Sequence, residues 1–581
     1  MNTLQGEKYL WKLPTCNEQA LFELVRRYNF SMPIAQTILT RGYVTQQEID
    51  AYLFSSFEKD VAHASLFKDA QKAIDRIITA INNNEKILVF GDYDVDGITS
   101  SALMMLCLKP LGANINFFLP HRVRDGYGLS VSIVERAAQN NYKVIITVDN
   151  GITAFEPAQK AKELGIDLII TDHHRQHEKV PDAFAIINPN QNDCTYPYKS
   201  LAGVGVTFKL LSLLYELLKL EIPSKAFELL LLGTIADVVP LTGENRFWVR
   251  HGLQFVNSVE SYALKVLKKN GNVTKSTISA SDIGYSITPQ INALGRLEDP
   301  RQGVKFLIGS DTKEVDQVGT VLFELNQARK EIERSIFNEV VHKIEAKQID
   351  ITKENIILAA SNQWPPGVIG LVASRLVGAY GKPTLLFHLT KDGKAKGSCR
   401  SIPEFNMFNA LHETRELLLS FGGHSLAAGL ALNIDNLPLL KQHLEKVIKM
   451  QLTEIDLKQK IMVDAELSLS DVTKKIISDL HHLEPFGNEN PQPVFQVKQA
   501  VLVQKPSLLK DAHVKCAVFA DGIIKPVVFF NRPELFERLR AQEQEPFDLV
   551  VHISENHWQG KVSIELIGID VAGLQDMGNV Q

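Results

Sequence analysis

Apolar and polar positions follow different periods along this chain, and the changes of period mark its parts. Between about residues 66 and 310, short apolar runs alternate with longer amphipathic stretches. The runs at 86–90, 115–119, 143–148, 167–171 and 183–187 predict strands, being short, apolar and bounded by turn residues. Continuously apolar strands separated by helical segments predict a parallel sheet covered on both faces. From Asp311 to about Lys347 the period becomes helical, with Val315, Val318, Leu322, Leu325, Ile332, Ile336, Val340 and Ile344 on one stripe and charges between them. That pattern predicts one long connecting helix whose stripe serves packing.

Further on, 355–359 and 384–387 predict strands of a second α/β unit, with glycine-rich turns at 367–370, 397–401 and 422–424. From about residue 458 the pattern is mostly β, with strands expected at 494–503, 513–519, 523–530, 549–554 and 562–567, enough for a small barrel. The expected division is a helical segment at 1–65, an α/β domain at 66–310, a connector helix at 311–350, a second α/β domain at 351–455, a β domain at 456–572 and a fraying tail at 573–581.

Composition narrows this only a little. A chain of 581 residues is too long for one core, and 45% hydrophobic with 22% charged residues is ordinary for a soluble globular protein. No apolar run reaches the ~20 residues that span a bilayer, so no membrane partner is expected. The segment Met1 to Lys8 lacks the basic-then-apolar order of a signal peptide, which points to the cytoplasm. The five cysteines are scattered and form no CxxC pair, which argues against a zinc ribbon or a disulfide framework. A net charge of −5 is not that of a strongly basic nucleic-acid binder. Between Pro366 and Ser401, however, six basic residues stand against the single acid Asp392.

The chemistry collects at strand ends, where open α/β sheets bind ligands. After the run Ile87 to Phe90 come Asp92, Asp94 and Asp96 at alternate positions. Like charges this close cannot all stay ionised unless something positive sits among them. A calcium loop would need a glutamate at its twelfth position, where this chain has Leu103, and a helix rather than a strand before it. A purely structural turn would leave three acids repelling. Asp149 follows the run Val144 to Val148, and Asp172-His173-His174 follows Leu168 to Thr171. Adjacent histidines there are hard to place in a core, since both rings need partners. One can bind metal as neutral imidazole while the other meets a phosphate or a leaving group. Carboxylates with imidazole and no thiolate suit Mn²⁺ or Mg²⁺. Asp237 ends an apolar helix-like run closed by Pro240, and is either placed for chemistry or an ordinary helix-terminal acid. Two ions ~3.5–4 Å apart could activate a water and neutralise the leaving oxygen of a phosphodiester.

The strings GDYDVDG (91–97), VDNGI (148–152), TDHH (171–174), INPN (187–190), LAGVGV (201–206) and GTIADVVPL (233–241) resemble the DHH phosphoesterase superfamily. NALGR (292–296), GSCRS (397–401), SFGGH (420–424) and PFGNENPQPVF (485–495) narrow the resemblance to its single-strand-specific 5′→3′ DNA exonucleases, over about residues 65 to 570. The resemblance implies a DHH domain, a DHHA1 domain and an OB-like barrel that holds single strand. It implies that Asp94, Asp96, Asp149, His173 and Asp237 bind two Mn²⁺ or Mg²⁺ ions, with Asp92 at or near the same site. His174 would contact the scissile phosphate, Arg296 would lie near the substrate, Ser398 and Arg400 would grip phosphate towards the 5′ end, and His424 would face the cleft. Single-stranded DNA is the implied substrate, with single-stranded DNA-binding protein and a helicase as partners in repair and recombination. One position departs from the pattern: Pro365 stands where the family usually has histidine, which removes an imidazole and a backbone donor. Two other readings remain at this stage. A DHH phosphodiesterase of short oligonucleotides or cyclic dinucleotides is typically shorter and lacks the terminal β domain. A non-catalytic DNA-binding scaffold should have lost ligands, and none is missing.

Overall fold

The computed structural model describes residues 2–122, 124–126, 128–542, 545–558 and 561–574, so most of the expected tail lies outside the described residues. The chain forms two compact units, one of residues 1–54, 449–484 and 491–581, the other of 55–448 and 485–490.

The N-terminal segment does not begin as helix. It opens with two short antiparallel strands, β1 (Thr3–Gln5) and β2 (Leu10–Lys12), and only then forms the helices Glu18–Tyr28, Met32–Thr40 and Gln46–Phe54. The reading of 1–65 as helical is corrected there: alternation over three residues is too short a signal to recognise.

In the larger unit, β3 (Lys86–Phe90), β4 (Asn114–Phe118), β5 (Tyr142–Val148), β6 (Asp167–Thr171) and β7 (Ala185–Ile187) build a wholly parallel sheet of order β4-β3-β5-β6-β7. Ile87, Val89, Val144, Ile146 and Val148 enter the core on one face, and Leu88, Phe90, Ile145 and Ile170 that on the other. Burial on both faces is why these strands read as continuous apolar runs. After β3 the chain goes first to one side, to β4, and then to the other, to β5. The carboxyl ends of β3 and β5 therefore flank the switch point where doubly wound sheets open a crevice. On one face pack the almost wholly buried helix Val95–Leu108 and the helix Gly203–Leu217, with Lys225–Ala236 packed against both.

The long helix runs Thr312–Glu345, started by the Asp311 carboxylate accepting from Lys313 N at 2.8 Å. Its stripe serves two cores, Val315 and Leu322 in the first domain's and Ile336, Val340 and Ile344 in the second's. The second sheet has the order β11-β12-β10-β9-β8, from β8 (Ile357–Ser361), β9 (Thr384–Leu389), β10 (Lys394–Arg400), β11 (Leu418–Gly423) and β12 (Ala427–Asn433), with only β8 and β9 parallel. Two expected glycine-rich turns are thus strands, and residues 367–370 lie in the helix Pro366–Tyr380. Glycine at 397 marks close approach, not a turn, because a Cβ there would fall 2.3 Å from the Phe387 ring.

In the other unit, β13 (Lys460–Met462) pairs in parallel with β2, and β14 (Ala465–Glu466) with β15 (Phe495–Leu509). β15, β16 (His513–Ala520), β17 (Ile523–Phe529), β18 (Phe547–Trp558) and β19 (Lys561–Ala572) close into a five-stranded barrel through the β15–β18 pairing. The chain's start is built into this unit. Trp11 is fully buried beside Val463, Val494 and Val550, and its indole N–H donates to Asp570 at 3.0 Å. Among the described residues no helix is long and apolar enough to cross a membrane.

Candidate metal centre and substrate cleft

The switch point gathers the acids. Asp92 lies two residues beyond β3, Asp94 caps the following helix by accepting from Gly97 N at 3.1 Å, and Asp96 occupies its first turn. Both oxygens of Asp96 accept backbone N–H groups, Gly203 at 2.6 Å and Val204 at 2.7 Å, so the LAGVGV string is a helix N-terminus aimed at a carboxylate. Asp149 leaves β5 in the left-handed region at φ 61°, and residue 203 must be glycine because a Cβ there would come 2.7 Å from that of Asp149. The Asn150 carboxamide donates to Val148 O at 2.9 Å and Phe90 O at 3.4 Å, tying together the strands that present Asp92 and Asp149.

Asp237 arrives from a helix, not a strand. It closes Lys225–Ala236 at the C-terminal end, where the helix dipole disfavours negative charge. Val238 behind it has φ 59°, strained for a β-branched residue. Asn488 holds this turn, donating from Nδ2 to Val238 O and accepting from Leu241 N, each at 2.8 Å.

His173 Nε2 stands 3.1 Å from Asp149 Oδ1, 3.6 Å from Asp237 Oδ2 and 4.0 Å from Asp96 Oδ2. The ring also meets the Leu201 backbone, and Nε2 is buried without a hydrogen-bond partner among the described residues. The His174 ring lies beside that of His173, centroids 4.4 Å apart, and its Nδ1 lies 2.8 Å from Asp172 Oδ1, an oxygen that also accepts the His173 and His174 backbone N–H groups at 2.7 and 3.1 Å. Among the described residues, three groups that could hold a metal ion have donor atoms within 4.8 Å of one another: Asp149, His173 and His174; Asp96, His173 and Asp237; and Asp92, Asp94 and Asp149.

The electrostatics of this cluster call for cations. Burial, then neighbouring charge, holds Asp92, Asp149 and Asp237 well above the carboxylate range and pushes Asp96 up to about 7. Burial, then His174, lowers His173 to about 4, so its imidazole is neutral at working pH. Burial alone would lower His174 too, but Asp172 outweighs it and raises the imidazole to about 9. Asp172, despite its burial, is itself drawn down to about 2 by His174. Asp92 Oδ1, His173 Nε2 and Asp237 Oδ2 are buried without a hydrogen-bond partner among the described residues. Buried acceptors are rarely left so, and a hard divalent cation suits oxygen donors with one imidazole.

Cationic and polar side chains gather beside the acids. Arg296 reaches into the second domain, donating to Gly367 O at 2.7 Å. Burial, then Arg122 and Arg329, with Arg400 further off, depress Arg296 to about 10. Arg400 donates to Ser398 Oγ at 3.1 Å, and Gly370 lets the helix approach, since a Cβ there would fall 2.8 Å from that hydroxyl. His424 is exposed after β11, and burial together with the charges of His174 and Arg175 lowers its pKa. Pro365 caps the helix Pro366–Tyr380, and the nearby His388 ring bonds Trp364 O at 2.9 Å. Of the basic residues in 366–401, Arg375 stacks on Phe337 at 3.9 Å, Lys382 bonds the carbonyls of Ile351 and Glu354, and Lys394 pairs with Asp392. Of these three, Lys382 is committed to backbone carbonyls, while Arg375 and Lys394 remain exposed.

Sequence reasoning missed Asp172 as the anchor of both histidines, and Arg122, which stacks on Tyr93 at 4.2 Å with a buried Nε lacking a partner among the described residues. Arg122 follows β4 at the same sheet edge, which was the available signal.

Comparison with known proteins agrees with this arrangement. Family models match as "DHH family, N-terminal domain" over 86–234, "DHHA1 domain" over 353–450 and "RecJ OB domain" over 463–570. The single-stranded-DNA-specific exonuclease RecJ of Bacillus subtilis (strain 168) is 34% identical over 570 residues, 98% of this chain and 71% of that protein. That of Escherichia coli (strain K12) is 35% identical over 551 residues, 91% of this chain and 93% of the other. The crystal structure of RecJ in complex with Mn²⁺ from Thermus thermophilus superposes with a TM-score of 0.82 at 25% identity, covering 97% of this chain and 80% of that one. A crystal structure of exonuclease RecJ bound to manganese gives 0.58 at 30% identity over 67% of this chain and 96% of that one.

Proposed function

We propose a course of reaction from one premise: this chain belongs to the RecJ family of single-stranded-DNA-specific exonucleases. It is a phosphodiester hydrolase of single-stranded DNA that uses Mn²⁺ or Mg²⁺. Digestion runs 5′→3′ and releases mononucleotides. The observation that carries the reading is the set of convergent acids and a neutral histidine whose buried donor atoms lack partners among the described residues.

Asp94, Asp96, Asp149, His173 and Asp237 would hold two ions, with Asp92 in the same cluster. Bound there, the ions lower the pKa of a water and neutralise charge on the phosphate. The rest falls to the protein's own groups. His174 keeps a proton on Nε2 because Asp172 fixes Nδ1–H and favours the charged ring, so it meets a phosphate oxygen or the departing 3′ oxygen as a donor. Water adds to phosphorus, the P–O3′ bond breaks, and the 3′ oxygen leaves with the terminal nucleotide and gains a proton. Ser398 and Arg400 grip the 5′ phosphate as a hydroxyl and a guanidinium fork, with Arg296 beside the strand and His424 facing it. The OB barrel holds single strand further along. Single-stranded DNA-binding protein and a helicase are the expected protein partners, in repair and recombination in the cytoplasm; family membership supports these, and no surface named here does.

The test is digestion of a single-stranded oligonucleotide labelled at either end, with Mn²⁺, Mg²⁺ or EDTA, beside Asp149→Ala. Early release of the 5′ label as mononucleotide, only with metal and only in wild type, is expected. Early loss of the 3′ label would reverse the assigned polarity. Cleavage of very short oligomers alone would move the substrate, and binding without cleavage would leave a scaffold.

A further inference from the structure

The INPN string at 187–190 has no part in the chemistry above, yet its asparagines reach the histidine pair. Asn188, fully buried, donates from Nδ2 to His174 O at 2.9 Å. Its own Oδ1 accepts from Asn190 N at 2.8 Å, which fixes which end of the carboxamide faces the histidine. Asn190 donates from Nδ2 to His173 O at 2.6 Å and to Lys199 O at 3.1 Å. Both its partners are acceptors, so its orientation is fixed as well. The loop is braced in turn: Gln191 donates to Ile186 O at 2.9 Å, and Lys199 Nζ to Pro189 O at 2.7 Å and Cys194 O at 3.0 Å.

Asp172 already takes both backbone N–H groups of the histidine pair. The asparagines take both carbonyls. All four backbone polar groups of His173-His174 are therefore bound by side chains, none by a strand or helix ladder. We infer that Asn188 and Asn190 are positioning residues that hold the His173-His174 turn so that His173 Nε2 faces the acids while His174 Nδ1 faces Asp172. The two rings lie side by side, centroids 4.4 Å apart, and the two carboxamides hold the carbonyls of the turn that carries them. Partners behind a ligand tune a metal site in this way, typically by 10–100-fold in affinity or rate.

The inference rests on His173 being a metal ligand, so the experiment includes His173→Ala. Asn190→Ala, the near-isosteric and uncharged Asn190→Leu, which removes the donor, and Asn188→Leu are made in the full chain. Three quantities are read: Mn²⁺ affinity by calorimetry without DNA, kcat and KM on a 5′-phosphorylated single-stranded oligonucleotide, and the urea midpoint in EDTA. Mn²⁺ affinity and kcat should each fall about 10–100-fold, with KM and the EDTA midpoint close to wild type, since the phosphate grip and the fold remain. A merely structural role would lower the midpoint and spare Mn²⁺ affinity, which overturns the inference. So would asparagine variants with wild-type affinity and kcat beside a His173→Ala that loses both. Wild-type Mn²⁺ affinity in His173→Ala itself would instead overturn the metal reading beneath it.

Discussion

Replacing Asp149 by asparagine removes one negative charge from a cluster that burial makes hard to ionise. Without metal, Asp92, Asp96, Asp149 and Asp237 are all held above the usual carboxylate range, by burial first and neighbouring charge second. Asp96 sets the scale, pushed from 3.8 to about 7. At ~1.4 kcal/mol per pKa unit, keeping it ionised at pH 8 costs on the order of 4 kcal/mol. A carboxyl that binds its proton more tightly when folded imposes nothing below its unfolded pKa, an increasing penalty as pH climbs towards the folded pKa, and the whole of it above. The metal-free protein therefore carries the full Asp96 penalty above about pH 7. Asp149 Oδ1 also lies 3.1 Å from His173 Nε2, which is buried without a hydrogen-bond partner among the described residues. Asp149→Asn should thus stabilise the protein in EDTA at pH 8, because Asp149 is likewise held above the carboxylate range by burial and by Asp96, Asp94, Asp237 and Asp92. Mn²⁺ should reverse the order, since wild type gains ~2.7 kcal/mol at a hundredfold excess over Kd and the variant, short of a ligand, gains less. Urea unfolding followed by tryptophan fluorescence, in EDTA or Mn²⁺ at pH 5.5 and pH 8, measures all of this. A variant less stable than wild type in EDTA at pH 8, or a gap indifferent to pH and Mn²⁺, would refute the argument.

Four further outcomes are expected. The raised His174 pKa, about 9, stabilises the fold fully below its unfolded value near ~6.5 and is lost as pH rises through 9, and the rate should fall on that same limb if the imidazolium donates. Asp172→Asn should move that limb to lower pH and cut kcat about 10–100-fold, measured as kcat against pH. Gly203→Ala puts a methyl 2.7 Å from Asp149 Cβ and should weaken Mn²⁺ binding in calorimetry; an unchanged isotherm would show that the helix yields instead. Trp11→Ala should cost ~3–5 kcal/mol in the unit built from the chain's two ends and leave Mn²⁺ affinity intact, and limited proteolysis should cut the 491–581 segment first.

The acids were legible because each follows its own apolar run, and a general rule about sheet edges brings those runs together. Asp237 was harder, since it comes from a helix end, and only its apolar prelude and Pro240 singled it out. The strands holding Ser398, Arg400 and the Gly422-Gly423 pair were read as turns because glycine usually signals turns; here it allows ring and strand to approach, as Phe387 does at 397. The place of residues 1–54 beside the barrel was not legible at all. It depends on Asp570 accepting from Lys8, Tyr9 and Trp11, contacts that span more than 550 positions and leave no local pattern.

The arginines were hidden for the same reason, and they complete the electrostatic argument. Arg122, Arg296, Arg329 and Arg400 come from four separate stretches, and no period or spacing links them. Gathered, they repel one another enough to depress Arg296 to about 10, burial contributing most. The acids a few residues away in the fold have the opposite difficulty. Tyr93 lies between Asp92 and Asp94 in sequence, its ring takes the Arg122 guanidinium, and its carbonyl is where a Cβ on Gly295, next to Arg296, would collide at 2.0 Å. One group of side chains lacks cations, and in the adjoining one Arg329 has Glu333 at 2.8 Å while Arg122, Arg296 and Arg400 have no ion pair among those seen in the described residues. Divalent metal meets only the first need, and free phosphate only the second. A phosphodiester strand bound together with metal meets both, so metal and DNA should each tighten the binding of the other.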